Sequence, residues 1–99
     1  MLLPFAWNVN AANNTTCIDT VTKIHIHSNG FIYFNTDKVC QKWCQLDWQS
    51  EKQIDRAFSA MVVSQTSGAE IAFVWNDVDV PNCSTPTAVS FVSPQWINL

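Results

Sequence analysis

The residues of this 99-residue sequence that are best suited to covalent or metal chemistry are its four cysteines, Cys17, Cys40, Cys44 and Cys83. An even set in so short a chain is typical of a disulfide framework in a secreted or periplasmic protein, and four cysteines allow three pairings. The alternative is a zinc site formed by Cys40 and Cys44 with His25 and His27. These histidines are two residues apart on a predicted strand, whereas zinc sites usually space them by about three to five. We therefore expect two disulfides and no metal or other cofactor.

Groups suited to catalysis are scarce. Paired cysteines leave no thiolate, and no serine lies in a Gly-x-Ser-x-Gly elbow. The two glycines are too few for a phosphate-binding loop. Asp77 and Asp79 could hold a cation, but the same pair occurs in ordinary solvated loops. We expect that the protein is not an enzyme.

Residues suited to binding are more abundant, because the chain contains five tryptophans. Trp43 and Trp48 fall in a predicted loop region, where an indole can stack on a sugar ring or anchor a protein interface. His25 and His27 share one face of a predicted strand. These four residues are the candidate ligand-binding residues. The alternatives are that the tryptophans complete the core and that the histidines lie on a solvated face.

Charge and hydropathy narrow the class of partner. Charged residues make up 13% of the chain and apolar residues 47%, and the net charge is −3. Binding to nucleic acid requires a basic face, so we do not expect it. No apolar stretch approaches the roughly 20 residues of a membrane span. So little charge indicates either a surface covered by a partner or second subunit, or a neutral surface rich in Asn, Ser and Thr.

The N-terminal part predicts an arm followed by a hairpin. Residues 1–16 are interpreted as an irregular arm, and residues 17–99 as one domain. The segment 1–7 is too short for a signal peptide, so we expect a mature chain whose signal has been removed and to which Met1 was added. Alternation from Ile18 to Asp37, with Asn29 and Gly30 at its centre, predicts a β-hairpin with a type I′ turn. Ile24 and Ile26 are expected to face the core.

The C-terminal part predicts a helix and two or three strands. Ser50 and Gln53 form a capping box, and Gly68 is a helix-ending residue. The apolar stripe between them is Ile54, Ala57, Phe58, Met61 and Val62, ending at Gln65. Residues 69–75 predict a strand buried on both faces, residues 88–92 a further strand, and residues 96–99 a strand that closes the sheet. The pattern indicates an α+β, mainly β fold of order β-β-(β)-α-β-β.

This order of elements resembles a family of small exported bacterial domains related to the B subunits of subtilase cytotoxin and the typhoid-type AB5 toxins. The resemblance covers roughly residues 18–99. The matching segments are Gly30-Phe-Ile-Tyr33, Cys40…Trp43, Ala57-Phe-Ser-Ala-Met61, Ser67-Gly68-Ala-Glu-Ile71 and Cys83. It implies an OB-like antiparallel β-barrel or curled sheet with one amphipathic helix, often assembled as a ring pentamer that binds cell-surface glycans. It also implies that Cys40 pairs with Cys83 and Cys17 with Cys44.

We therefore expect a non-enzymatic exported binding module that is similar to a toxin B subunit. It would form a homo-oligomer and recognise a cell-surface glycan or receptor. The alternative is a periplasmic protein-interaction module, such as an inhibitor or immunity-type protein.

Overall fold

A computed structural model of the chain describes residues 13–86 and 91–99. Over these residues the fold is α+β, mainly β, with two sheets and one helix, which confirms the predicted class at that level. The elements are β1 (Asn14–Asp19), β2 (Val21–Ile26), β3 (Ile32–Thr36), β4 (Cys44–Leu46), α1 (Glu51–Ser67), β5 (Ile71–Asn76), a 3₁₀ turn (Pro81–Cys83) and β6 (Trp96–Asn98). No helix in the described residues is long and apolar enough to cross a membrane.

The six strands form two antiparallel sheets, one ordered β1–β5–β6 and the other β2–β3–β4. We call the second one the hairpin sheet. Within the described residues, 13–86 and 91–99, no strand pairing joins the two sheets into a closed barrel. The OB-like architecture implied by the resemblance therefore stays a prediction.

The core joins the two sheets through large aromatic rings on β3 and β5. Phe34 stacks on Phe73 with their ring centroids 5.7 Å apart, and Phe73 stacks on Trp75 at 5.9 Å. All three side chains are fully buried, and so is Val74 on the opposite face of β5. Burial on both faces of this strand, which its continuous apolar character predicts, is confirmed.

A hairpin within the predicted range is confirmed between β2 and β3, but Ile18 and Asp19 belong to β1 instead, and the turn is of another kind. A type I′ turn needs positive φ at both central residues, whereas only Gly30 has it (φ 94°). The Gly30 N–H donates to the carbonyl of His27, and the His27 N–H donates to the carbonyl of Phe31, at 3.1 Å each. This is the pattern of a three-residue loop with a type I turn followed by a left-handed residue. Ile26 shares the core-side face with Ile24 by register but lies beyond the core and is 68% exposed.

Helix α1 begins and ends where its capping signals predict. The Ser50 hydroxyl accepts the Gln53 N–H at 3.3 Å, and Gly68 ends the helix in the left-handed conformation with φ 81°. At the C-terminal end of the core stripe, however, the buried residue is Ser64 rather than Gln65. The Ser64 hydroxyl accepts the Val21 N–H at 2.9 Å and donates to the carbonyl of Ala69. A hydroxyl with two backbone partners is accommodated in the core, whereas a longer amide is not.

Both disulfides are present, but the implied pairing is wrong: the bonds join Cys17 to Cys83 and Cys40 to Cys44. The reason is the division into two sheets. Cys17 lies in β1, which pairs with β5, and the chain after β5 returns along β1 and carries Cys83 with it. Cys40 lies within the β3–β4 connection and Cys44 is the first residue of β4, so both belong to the hairpin sheet. Each bond therefore stays with its own sheet.

The two ends of the chain are only partly described. Residues 14–16, expected to belong to an irregular arm, form the start of β1, whereas residues 1–12 lie outside the described residues. Residues 88–90 of the predicted strand at 88–92 also lie outside them, and Phe91 and Val92 are not in a strand. Strand β6 pairs with β5, as the prediction of a closing strand requires.

Candidate functional site

The outer face of the hairpin sheet brings most of the predicted binding residues together. The register pairs His25 with Tyr33 and Tyr33 with Gln45, so these three side chains lie in one row on one face. The next row contains Phe34 and Cys44, which are fully buried. Because side chains alternate along a strand, the face turned away from the core carries the histidines.

Five rings on this face surround a cavity of 260 Å³, and we call them the aromatic pocket: His25, His27, Tyr33, Trp43 and Phe91. The ring centroids are 5.7 Å apart for His25 and Trp43, 5.7 Å for His25 and His27, and 5.0 Å for Tyr33 and Phe91. Trp43 is 38% exposed and Phe91 49%. The cavity is therefore open to solvent and bordered by large apolar surfaces.

Trp43 is positioned by the short loop between β3 and β4. The Cys40–Cys44 bond closes this loop over a sequence separation of only four residues. The side-chain amide of Asn35 donates to the carbonyl of Cys40 at 3.1 Å and also to the carbonyl of Lys42. Covalent closure and these bonds restrict the backbone that carries the indole. A restrained aromatic side chain loses less entropy when a ligand binds.

The polar atoms of the pocket are organised by Asn29 in the hairpin turn. The Asn29 backbone N–H donates to Nδ1 of His27 at 3.0 Å. The Asn29 side chain accepts the Phe31 N–H through Oδ1 at 2.9 Å and donates through Nδ2 to the Tyr33 hydroxyl at 3.0 Å. One turn residue thus contacts two of the five pocket residues.

Among the described residues that line the pocket, none is an aspartate, glutamate, lysine or arginine. Lys23 shares the outer face, two rows from His25, where the register places it opposite Asn35. The pocket therefore offers ring faces and neutral hydrogen-bonding groups. This combination is suited to holding a small ligand with one apolar face.

Trp48, the fourth candidate, does not belong to the aromatic pocket. Its indole N–H donates to the carbonyl of Pro94 at 2.8 Å, and its ring lines a different cleft of 600 Å³ between α1 and β6. Arg56, Trp96 and Leu99 also line that cleft. Trp43 and Trp48 were grouped as candidates because they are close along the chain, but in the structure β4 lies between them.

Asp77, the first residue of the acidic pair after β5, has a structural role. The Asp77 side chain accepts a hydrogen bond from the Thr15 hydroxyl, and the Asp77 N–H donates to the carbonyl of Asn13 at 2.9 Å. Asp77 therefore ties the loop after β5 to the start of β1. Within residues 13–86 and 91–99 no group of three or more His, Cys, Asp or Glu residues is placed to hold a metal ion.

Two pocket residues were not among the candidates predicted from the sequence. Tyr33 was missed because the predicted type I′ turn at Asn29 and Gly30 would place it across from Ile26, whereas the three-residue loop that forms places it across from His25. Phe91 carried no signal either, since it reaches the pocket from a segment far along the chain. It contacts Tyr33 because the following residue lies beside β4, where the Gln45 N–H donates to the carbonyl of Val92 at 2.9 Å.

Comparisons of the chain with models of protein families, with curated proteins and with solved structures found no match. The resemblance to toxin B subunits therefore stays a prediction from the sequence.

Proposed function

We propose that this chain is a non-enzymatic, exported binding module that recognises a cell-surface glycan through the aromatic pocket. The observation that carries the proposal is the grouping of His25, His27, Tyr33, Trp43 and Phe91 around one open cavity. Isolated exposed aromatic residues are ordinary on protein surfaces, but five converging rings are not needed to stabilise a sheet face that lies outside the core.

The size and polarity of the cavity favour a single sugar ring. Its volume of 260 Å³ lies below the roughly 300–1,000 Å³ typical of drug-sized ligand sites. A pyranose ring has one face of C–H groups that can lie on the indole of Trp43 and an edge of hydroxyl groups that can reach the imidazoles and the Tyr33 hydroxyl. The restrained loop at Trp43 reduces the entropic cost of that contact.

Export and oligomerisation are parts of the same proposal. Two disulfides support a secreted or periplasmic location, because disulfides persist in oxidising compartments. The resemblance to toxin B subunits supports a homo-oligomer, in which several weak sugar sites on one face act together. Light scattering during size-exclusion chromatography should then give a multiple of the 11.2 kDa chain mass. A monomer would remove this part of the proposal.

A glycan array tests the proposed function directly, with Trp43→Ala as the site variant. Trp96→Ala is the matched control, because Trp96 is similarly exposed at 46% but lies on β6 in the other sheet. We expect hits for the wild type and for Trp96→Ala and their loss for Trp43→Ala, with circular dichroism showing that both variants fold. An array without hits, or hits that survive Trp43→Ala, would refute glycan binding at this pocket.

The rival function is a periplasmic protein-interaction module, of the inhibitor or immunity type, that uses the same exposed rings. Tryptophan and tyrosine anchor protein interfaces as well as sugars. The rival would be favoured if the array gave no hits and a purified protein partner bound the wild type but not Trp43→Ala.

A further inference from the structure

The hydrogen bonds of the hairpin turn determine whether the polar groups of the aromatic pocket donate or accept hydrogen bonds. At His27, Nδ1 accepts the Asn29 backbone N–H at 3.0 Å, so this nitrogen cannot carry the proton of the neutral ring. The proton then resides on Nε2. His27 therefore presents a donor, and not an acceptor, through its other nitrogen.

The Tyr33 hydroxyl is likewise left as a hydrogen-bond donor towards the pocket. Oδ1 of Asn29 is occupied by the Phe31 N–H at 2.9 Å, which leaves the Asn29 amide group to point its Nδ2 at the Tyr33 oxygen, 3.0 Å away. A side-chain amide nitrogen can only donate, so the Tyr33 oxygen accepts. The Tyr33 hydrogen remains available to a ligand. The indole N–H of Trp43 is likewise a donor only.

From this polarity, and resting on the glycan-binding function proposed above, we infer that the aromatic pocket selects an acetamido sugar and that Asn29 is the positioning residue for that selectivity. A carbonyl oxygen can accept from the Tyr33 hydroxyl and from Nε2 of His27 without bringing a hydrogen that needs a partner. The acetamido methyl group packs on aromatic rings, and the acetamido N–H can be accepted by His25, whose ring no hydrogen bond among the described residues constrains.

Other sugars fit this polarity less well. A hydroxyl group placed in the same position accepts the same hydrogen bonds, but it has no methyl group to pack on the aromatic rings. A sugar carboxylate would give up part of its hydration, and no lysine or arginine in the described part of the lining replaces it. The charge pattern therefore favours a neutral acceptor over an acidic one.

The experiment is an NMR titration of ¹⁵N-labelled protein with four methyl β-pyranosides: those of N-acetylglucosamine, glucose, glucosamine and glucuronic acid. We expect the N-acetylglucosamine glycoside to bind about fivefold to tenfold more tightly than the glucose glycoside, as one well-made hydrogen bond provides. The shifted signals should include the indole N–H of Trp43.

The variant Asn29→Asp tests the positioning residue. An aspartate still accepts the Phe31 N–H, so the turn is kept, but its second oxygen accepts the Tyr33 hydrogen and removes that donor from the ligand. We expect the preference for N-acetylglucosamine over glucose to fall to about twofold or less. Asn82→Asp is the matched control, because it makes the same change at another exposed turn residue, beside Cys83. It should keep the full preference.

The outcomes separate this inference from the proposed function. Equal affinity for the glucose and N-acetylglucosamine glycosides, or tighter binding of the glucuronic acid glycoside, would overturn the inferred selectivity while glycan binding at the pocket stands. Retention of the preference in Asn29→Asp would overturn the role of Asn29. If none of the four glycosides shifts the pocket signals and the array is also without hits, both proposals fail.

Discussion

Removal of the Cys17–Cys83 bond is expected to destabilise the protein more than removal of the Cys40–Cys44 bond. The two bonds close loops of very different length, with sequence separations of 66 and 4 residues. In the chain-entropy description, cross-links over such separations restrict the unfolded chain by about 4 and about 2 kcal/mol. The long-range bond therefore contributes about 2 kcal/mol more to the free energy of unfolding.

Packing reduces this difference slightly. Cys40 and Cys44 are both fully buried, whereas Cys83 is partly exposed, so alanine substitution at the local bond removes more buried surface. That contribution is under about 1 kcal/mol, the value of roughly one buried methylene group. A net difference of about 1–2 kcal/mol remains in favour of the long-range bond.

The assay is equilibrium unfolding in urea of two double variants, Cys17→Ala with Cys83→Ala, and Cys40→Ala with Cys44→Ala. With a typical dependence of about 1–1.5 kcal/mol per molar urea, their midpoints should differ by about 1 M. The double variant Cys17→Ala with Cys44→Ala is the control, because it breaks both bonds and should lose about 6 kcal/mol, as much as many small domains possess. Equal midpoints, or a less stable Cys40–Cys44 variant, would refute the reasoning from loop length. A stable Cys17→Ala, Cys44→Ala protein would refute the disulfide pairing itself.

Three single substitutions test the polar groups and the backbone that hold the fold. Ser64→Ala should cost about 1–3 kcal/mol in urea unfolding, because it leaves the buried Val21 N–H without its acceptor; no loss would contradict that role. Asp19→Asn should cost about 1–3 kcal/mol, because an amide cannot accept every backbone N–H that the buried carboxylate accepts, the Val39 N–H at 2.9 Å among them; an unchanged unfolding midpoint would refute this. Gly68→Ala should cost about 1–2 kcal/mol from the left-handed backbone alone, since an added Cβ meets no atom within 4 Å; a larger loss in thermal unfolding would point to a steric clash instead.

Local signals made the hairpin and the helix predictable. Alternation over residues 21–26 and 32–36 describes two strands irrespective of what packs on them, and the capping residues Ser50 and Gly68 act within a few residues of the helix ends. The turn type was not predictable from Asn29 and Gly30 alone. The same two residues fit a two-residue turn or the three-residue loop that forms, and the pairing of Ile26 with Ile32 decides between them.

The disulfide pairing was not predictable, because it depends on how the strands divide between sheets. Cys17 meets Cys83 only because β1 pairs with β5, a contact between segments more than 50 residues apart. Ser64 illustrates the same limit on a smaller scale. Its burial depends on the Val21 N–H, which no pattern within the helix reveals.

Part of the candidate site followed from the sequence for a physical reason. Alternation along β2 places His25 and His27 on one face, and the loop that places Trp43 on the same face is short enough to be held by adjacent residues. Tyr33 joins them only in the register of the three-residue loop that forms. Phe91 completes the pocket from a distant segment, so it needed the tertiary structure.

The position of a bound glycan can be mapped with ¹H–¹⁵N NMR spectra of the protein and its strongest binder from a glycan array. We expect the perturbed signals to cluster on the outer face of the hairpin sheet, at His25, His27, Tyr33 and the indole N–H of Trp43. Perturbations centred instead on the cleft between α1 and β6, around Trp96, would show that the aromatic pocket is not the binding site.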